Sequence, residues 1–195
     1  MKIVAFGHRR RVGKNTAAMM LEKEFHNDRN RKIAGTYVKL ASFATKLKDI
    51  SYQLYSWAGL MPEEFYEDFP EKKEEVLPLL GMTPREIWIK LGTPAIREQV
   101  YDDTWVDCTL RGPQNCDILI ITDLRFPNEV KKVQDLGGYC IKINRPEIPK
   151  ATDVADCALE SCMDWDYVIE NDRGIEELQT SVHVIAQELR GLWYV

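Results

Sequence analysis

The chain has 195 residues, of which 45% are hydrophobic and 29% are charged, and its net charge is −5 at pH 7. That length suits one domain with a substantial core, and the acidic balance disfavours a protein that coats nucleic acid, so we expect no nucleic-acid partner. No apolar run reaches the roughly 20 residues that a membrane-spanning helix needs, and we therefore expect a cytoplasmic protein without a membrane partner.

The predicted secondary structure alternates between strands and helices. The apolar run 2–6 is typical of a strand buried on both faces of a parallel sheet, and an apolar stripe predicts a helix over about 14–25. Further strands are predicted at 33–41, 116–123, 139–145 and 166–171, and further helices at about 43–57, 83–92, 127–136 and 175–189. The acidic segment 63–78 is predicted to be a mobile excursion. This alternation predicts an α/β fold, a three-layer doubly wound parallel sheet, in one domain over 1–195.

The stretch GHRRRVGKNT, residues 7–16, lies between the first strand and the first helix. Such a turn can bind a polyphosphate, because backbone N–H groups and the positive end of the helix point at the anion. Gly13 would allow a close approach, Lys14 would reach the β- and γ-phosphates, and the Thr16 hydroxyl would bind Mg²⁺. The predicted cofactor-binding residues here are Gly13, Lys14, Asn15, Thr16 and Ala17. The alternative is a basic turn capped by Thr16, but the strand and helix on either side favour an ATP–Mg²⁺ loop.

Two details of this stretch are unusual. His8 stands where such loops carry their first glycine, and Gly7, one residue earlier, is predicted to supply the bend instead. The arginines at 9, 10 and 11 are either a solvated cluster or partly a phosphate clamp; we expect one to face inward and the others to be solvated. We also expect Lys14 to be exposed and to contribute little to packing.

Asp123 ends the apolar strand ILIITD, at the carboxyl edge where parallel sheets bind ligands. A carboxylate there is suited to Mg²⁺ or to an acceptor molecule, and the sequence leaves both open. From their residue types alone, Arg85 and Arg97 are interpreted as surface charges paired with nearby glutamates. Trp105 is interpreted in the same way as a core residue.

Taken together, these segments resemble the phage-type deoxynucleoside monophosphate kinases, within the P-loop nucleoside and nucleotide kinase superfamily. The matching segments are 11–16 (RVGKNT), 43–48 (FATKLK), 83–85 (TPR), 91–93 (LGT) with Arg97 and Trp105, 123–129 (D-x-RFPNE), 136–138 (LGG), 145–146 (RP) and 171–178. The D-x-RFPNE block is the most specific of them. The chain departs from the family pattern at His8, at Asn15, and at 152–156, which reads TDVAD where the family carries a THVSE-like motif.

The resemblance implies transfer of the γ-phosphate of ATP to a nucleoside 5′-monophosphate, with Mg²⁺ as the metal. It implies catalytic roles for Lys14, Arg11, Arg125 and Asp123, metal binding by Thr16 and Asp123, and an ATP-bordering loop at Asn171 and Asp172. The residues that it implies for the acceptor are Arg10, Lys48, Arg85, Gly92, Arg97, Trp105, Asp123, Arg125 and Glu129. Trp105 would stack on the acceptor base or wall it in.

The resemblance also implies a helical acceptor-binding region at about 43–105, a lid at about 146–165, and possible homodimers, as in some relatives. A phage-encoded protein would act in the host cytoplasm, supplying DNA precursors. Two rivals stay open at this point: a P-loop kinase for another acceptor, such as dephospho-coenzyme A, a nucleoside or a modified base, and a non-catalytic nucleotide-dependent binding protein.

Overall fold

The computed structural model describes residues 1–26, 36–112, 115–148 and 157–193. The chain divides into two compact units: Met1–Ser42 together with Pro113–Val195 form the first, and Phe43–Gly112 form the second. The second unit includes the predicted acceptor-binding region 43–105, whose role stays a prediction.

The first unit is built on a five-stranded parallel sheet. Its strands are β1 (Lys2–Gly7), β2 (Val38–Ala41), β3 (Ile118–Leu124), β4 (Tyr139–Asn144) and β5 (Tyr167–Glu170). Their order across the sheet is β2-β3-β1-β4-β5, and every pair is parallel. The central position of β1 buries its apolar run on both faces, as the sequence predicts.

Helices cover both faces of this sheet. Helix α1 (Lys14–His26) and the last helix, which we label α7 (Ile175–Trp193), share one core with Val4, Phe6 and Ile141. On the opposite face, α6 (Pro127–Asp135) contacts β1 and β4, and its Val130 and Val133 are buried. The layers confirm the predicted three-layer, doubly wound parallel α/β fold.

The second unit is helical. It contains α2 (Phe43–Tyr55), α3 (Glu63–Asp68), α4 (Pro84–Lys90) and α5 (Thr104–Leu110). Thr83 and Glu86 form a reciprocal capping box at the start of α4, with Pro84 in the first turn, as the sequence predicts. Among the described helices, none combines the length and apolar character needed to cross a membrane.

Two predicted boundaries are wrong. Strand β2 is shorter than predicted, although 27–35 lie outside the described residues. The helix expected to end at Gly92 continues as a π-helical segment, Leu91–Arg97, in which the amide of Glu98 donates to the carbonyl of Thr93 at 3.1 Å. The wider turn accommodates Pro94, which has no amide hydrogen to donate.

Candidate functional site

The turn between β1 and α1 contains three residues with positive φ: His8 at 97°, Arg11 at 62° and Gly13 at 105°. The prediction that Gly7 supplies the bend is wrong, because the left-handed conformation falls on His8. Gly7 serves packing instead: a Cβ there would lie 2.5 Å from the Trp165 ring. A non-glycine residue at such a φ costs about 1–3 kcal/mol, so the surrounding contacts must hold His8 in place.

Lys14 is the first residue of α1, and its side chain reaches back to the carbonyls of this turn. Its ammonium donates to the carbonyl oxygen of His8 at 2.8 Å and also to that of Arg9. Only 7% of the residue is exposed, so the expectation of an exposed lysine is wrong. The reason is local: the turn presents two carbonyls to the first residue of the helix, and they attract a cation.

The start of α1 leaves several amides directed at the turn. The first helical hydrogen bond runs from the amide of Ala17 to the carbonyl of Gly13, at 2.9 Å, so the amides of 14–16 come before the intrahelical pattern begins. Asn15 and Thr16 are exposed, whereas Ala17 is buried. Polar groups at a helix N-terminus suit an anion, and the Thr16 hydroxyl is free to face solvent or a ligand.

Asn171, which the resemblance places beside ATP, contacts the turn directly, and the sequence did not indicate its partner there. Its side-chain amide donates to the carbonyl of Val12 at 2.8 Å. A Cβ on Gly13 would lie 2.8 Å from this Asn171 nitrogen and would displace the Asn171 side chain, while the φ of 105° favours glycine by conformation. Its neighbour Asp172 is exposed and lies 3.7 Å from the Nε of Arg173.

The three arginines of the turn differ in exposure. Arg9 is 8% exposed, and its guanidinium binds Glu160 through two nitrogens, with Nη2 2.7 Å from Oε2. Arg10 is half-buried and Arg11 is exposed. The inward-facing arginine is therefore Arg9, which the sequence did not single out.

His8 is almost completely buried beside the same carboxylate. Its Nδ1 lies 3.1 Å from the carbonyl of Ile143, and its Nε2 lies 3.5 Å from Glu160 Oε1. Burial lowers the pKa of His8, the Lys142 and Arg9 cations lower it as well, and the Ile143 carbonyl and Glu160 act in the opposite sense. The lowered pKa favours the neutral form of His8.

Asp123 lies at the carboxyl end of β3, next to the end of β2. Its Oδ2 accepts a hydrogen bond from the hydroxyl of Ser42 at 2.7 Å. Ser42 is a further residue that sequence reasoning missed. Ser42 stands directly before the FATKLK segment and belongs to no motif in the sequence.

Glu129 and Arg125 are joined through the backbone. Glu129 is 4% exposed, and its Oε2 accepts from the amides of Arg125 at 2.7 Å and Phe126 at 3.1 Å. This caps the start of α6. The carboxylate therefore orients the strand end that carries Arg125, whose side chain is half-buried.

In the second unit, Trp105 and Gly92 form a pair. The Trp105 indole donates from Nε1 to the carbonyl of Gly92 at 2.9 Å, and the residue is 5% exposed. A ring buried to this degree offers no face for stacking, so of its two predicted roles only that of a wall fits. A Cβ on Gly92 would lie 2.8 Å from Leu47. Arg97 is also buried, and its Nη2 lies 2.8 Å from Asp102 Oδ1.

Lys48 and Arg85 belong to a group of cations in the second unit. The Nζ of Lys48 lies 2.6 Å from Glu63 Oε1 and 5.6 Å from the centre of the Trp88 ring. The Nε of Arg85 lies 2.5 Å from Glu74 Oε1.

Lys73 is a third member of this group. It is half-buried. Burial lowers its pKa first, and the nearby charges of Lys48 and Arg85 lower it further. A lysine in this setting gains from a bound anion. Sequence reasoning missed Lys73 because it stands in a run of mixed charges, EKKEE at 71–75, that is typical of a solvated surface.

The residues of the first unit fit ATP and Mg²⁺. The turn has a positive-φ glycine, helix-start amides and a lysine held at its mouth, which is the donor set a polyphosphate needs. Thr16 and Asp123 supply the hydroxyl and carboxylate oxygens that Mg²⁺ prefers. Of the predicted lid, 149–156 lie outside the described residues, including the TDVAD segment.

No model of a known protein family matches the chain. A protein of Acanthamoeba polyphaga mimivirus, provisionally named deoxynucleotide monophosphate kinase, is 29% identical over 157 residues, which cover 72% of this chain and 79% of the viral protein. This chain is a homologue of that viral protein. The relationship confirms the resemblance that the motifs indicate.

A second likeness is structural. The chain resembles shikimate kinase from Aquifex aeolicus over 97% of both chains, with 12% identity and a TM-score of 0.44. Likeness at this level has no bearing on substrate or mechanism.

Proposed function

We propose that this protein is an ATP-dependent kinase that transfers a phosphoryl group to a deoxynucleoside 5′-monophosphate. The observation that carries the proposal is the turn between β1 and α1, where the Lys14 ammonium already lies against the carbonyl of His8 at 2.8 Å and Gly13 has a φ of 105°. The name of the mimivirus homologue supports the choice of acceptor.

On the donor side, the β- and γ-phosphates of ATP would lie against the amides of 14–16. Lys14 would exchange its carbonyl contacts for phosphate oxygens, which are stronger acceptors for an ammonium group. Thr16 and Asp123 would hold Mg²⁺, which would neutralise charge between the β- and γ-phosphates. Asn171 donates to the Val12 carbonyl at 2.8 Å and would hold the orientation of this carbonyl beside the bound nucleotide.

On the acceptor side, the cations of the second unit are the proposed ligands of the monophosphate. Lys48 and Arg85 lie close enough to Lys73 for their charges to lower its pKa, and Lys48 and Arg85 are paired with Glu63 and Glu74. A phosphate dianion relieves the repulsion that these two charges exert on Lys73, whereas a neutral acceptor does not. Arg125 and Arg11 of the first unit would stabilise the charge that develops during transfer.

The reaction balances without a general base. A phosphate oxygen of the acceptor attacks the γ-phosphorus, the bond from that phosphorus to the β,γ-bridging oxygen breaks, and ADP leaves with the electron pair. Because the acceptor oxygen is already ionised near pH 7, no side chain needs to remove a proton. The residues supply position and charge stabilisation, which are the largest contributions in phosphoryl transfer.

A panel of acceptors tests the proposal. The purified protein with ATP and Mg²⁺ is offered the deoxynucleoside and ribonucleoside monophosphates, dephospho-coenzyme A, shikimate and free nucleosides, and ADP release is followed. We expect turnover with one or more deoxynucleoside monophosphates. Turnover confined to a non-nucleotide acceptor, or ATP binding without any transfer, would contradict the proposed acceptor.

A further inference from the structure

Glu160 lies outside the turn in sequence but contacts its first two residues. It belongs to the stretch between β4 and β5, some 150 positions further along the chain. Its carboxylate meets the Arg9 guanidinium at two points, Nε with Oε1 and Nη2 with Oε2 at 2.7 Å. A two-point contact of this kind fixes the orientation of the arginine as well as its charge.

The burial of Arg9 makes its ion pair with Glu160 necessary for the conformation of the turn. Arg9 is 8% exposed and His8 is 3% exposed, and a buried guanidinium that loses its counter-charge is strongly destabilising. The same carboxylate oxygen lies 3.5 Å from His8 Nε2, beside the residue whose φ of 97° needs support from its surroundings. Glu160 thus constrains Arg9 through its side chain, whereas His8 Nε2 has no hydrogen-bond partner among the described residues and His8 Nδ1 contacts the Ile143 carbonyl at 3.1 Å.

The backbone of these two residues faces the other way, towards Lys14. The His8 carbonyl accepts from Lys14 Nζ at 2.8 Å, and the Arg9 carbonyl accepts from the same ammonium. A contiguous path therefore runs from the Glu160 carboxylate through the side chain and the carbonyl of Arg9 to the lysine that we assign to the phosphates.

We propose that Glu160 is a positioning residue for the phosphate-binding turn. By holding Arg9, it fixes the residue whose carbonyl, beside that of His8, keeps the Lys14 ammonium at the turn before nucleotide binds. The lysine side chain is then ordered before it exchanges these carbonyls for phosphate oxygens, so less conformational freedom is lost on binding. This inference rests on the proposed function for its effect on ATP, but its effect on the turn is independent of catalysis.

The test compares Glu160→Gln with Glu24→Gln. Glu24 is a matched control, because its carboxylate also lies near an arginine and a histidine, 3.8 Å from Arg190 Nη2 and 3.0 Å from His183 Nδ1, but on the far part of α1. Side-chain exposure is similar, 31% for Glu160 and 24% for Glu24. Two measurements are made on each variant. The first compares the Kd and KM for ATP with the KM for the acceptor. The second is amide hydrogen exchange of residues 8–14.

We expect Glu160→Gln to raise the Kd and KM for ATP about tenfold, with the acceptor KM unchanged, and to speed exchange at 8–14. Glu24→Gln should change neither readout, and Glu160→Asp, which keeps the charge, should recover part of the loss. If Glu160→Gln does not fold, Glu160→Asp carries the comparison.

Two results would overturn the inference: exchange at 8–14 that matches the Glu24→Gln control, or a loss of affinity spread equally over ATP and acceptor. If the unaltered protein binds no ATP, the proposed function fails, and the exchange of 8–14 alone then decides whether Glu160 positions the turn.

Discussion

The hydroxyl of Ser42 lies 2.7 Å from Oδ2 of Asp123 and joins the ends of two neighbouring strands, β2 and β3. The hydrogen bond takes up one lone pair of the carboxylate and limits the rotation of its side chain. If Asp123 binds Mg²⁺, Ser42 orients a metal ligand from outside the coordination sphere, an arrangement that tunes metal affinity in many proteins.

Ser42→Ala should therefore raise the Mg²⁺ concentration needed for half-maximal activity, by about tenfold, because Asp123 loses the partner that orients it. The measurement is a magnesium titration of the transfer rate at saturating ATP. Ser181→Ala is a suitable control, since its hydroxyl donates to a backbone carbonyl within α7 at 3.0 Å. An unchanged titration in Ser42→Ala would assign Asp123 to the acceptor instead.

Lys14→Ala should abolish transfer and also lower the free energy of unfolding. The second effect arises because the ammonium is buried and donates to two carbonyls of the turn; losing both hydrogen bonds should cost about 1–3 kcal/mol. Urea unfolding beside the activity assay measures the two effects. Lys23→Ala, on the exposed side of the same helix, should change neither, and full activity in Lys14→Ala would exclude the turn as the site.

Lys73→Ala should raise the KM for the monophosphate acceptor by about ten- to a hundredfold while leaving the Kd for ATP unchanged, because it removes one cation of the proposed acceptor site. Lys72→Ala provides the comparison: this neighbouring lysine is bound to Glu75 at 2.8 Å on the surface. Equal effects of the two substitutions on the acceptor KM would remove Lys73 from the site.

His8 should make stability depend on pH. Its pKa in the folded protein is below the ordinary value of 6.5, mainly because it is buried, so the unfolded chain binds a proton more readily than the folded one. The free energy of unfolding is therefore undiminished by His8 above pH 6.5. It decreases as the pH falls below 6.5, because the unfolded chain then takes up a proton at His8 before the folded chain does.

The measurement is the free energy of unfolding between pH 8 and pH 5 for the unaltered protein and for His8→Gln. The substitution should make the pH dependence shallower in this range, whereas His26→Gln, at an exposed position, should leave it as it is. A curve for His8→Gln parallel to that of the unaltered protein would show that His8 is not the group responsible.

The sheet and its flanking helices were predictable because their signals are local. An apolar run such as 2–6, or a helix start such as Thr83-Pro84, carries its information within a few residues. The spacing of Gly13, Lys14 and Thr16 likewise lies in one short segment. The π-helical turn at 91–97 was not predictable in this way, because a glycine followed closely by a proline ordinarily ends a helix.

The contacts that support the site could not be predicted from the sequence, for a different reason. Arg9 and Glu160 are 151 positions apart, and Val12 and Asn171 are 159 apart, so nothing in either neighbourhood indicates the partner. The burial of Lys14 and Trp105 also depends on packing that only the folded chain creates. The sequence therefore predicts candidate site residues but does not indicate the distant residues that contact them.

Residues 43–112 are inserted in the chain between β2 and β3, two strands that pair with each other. The hydrogen bonds of that pair are made wholly by residues outside the insert. The length and sequence of this helical insert can therefore change while the register of β2 and β3 stays the same. Relatives with different substrates should accordingly vary most within this insert.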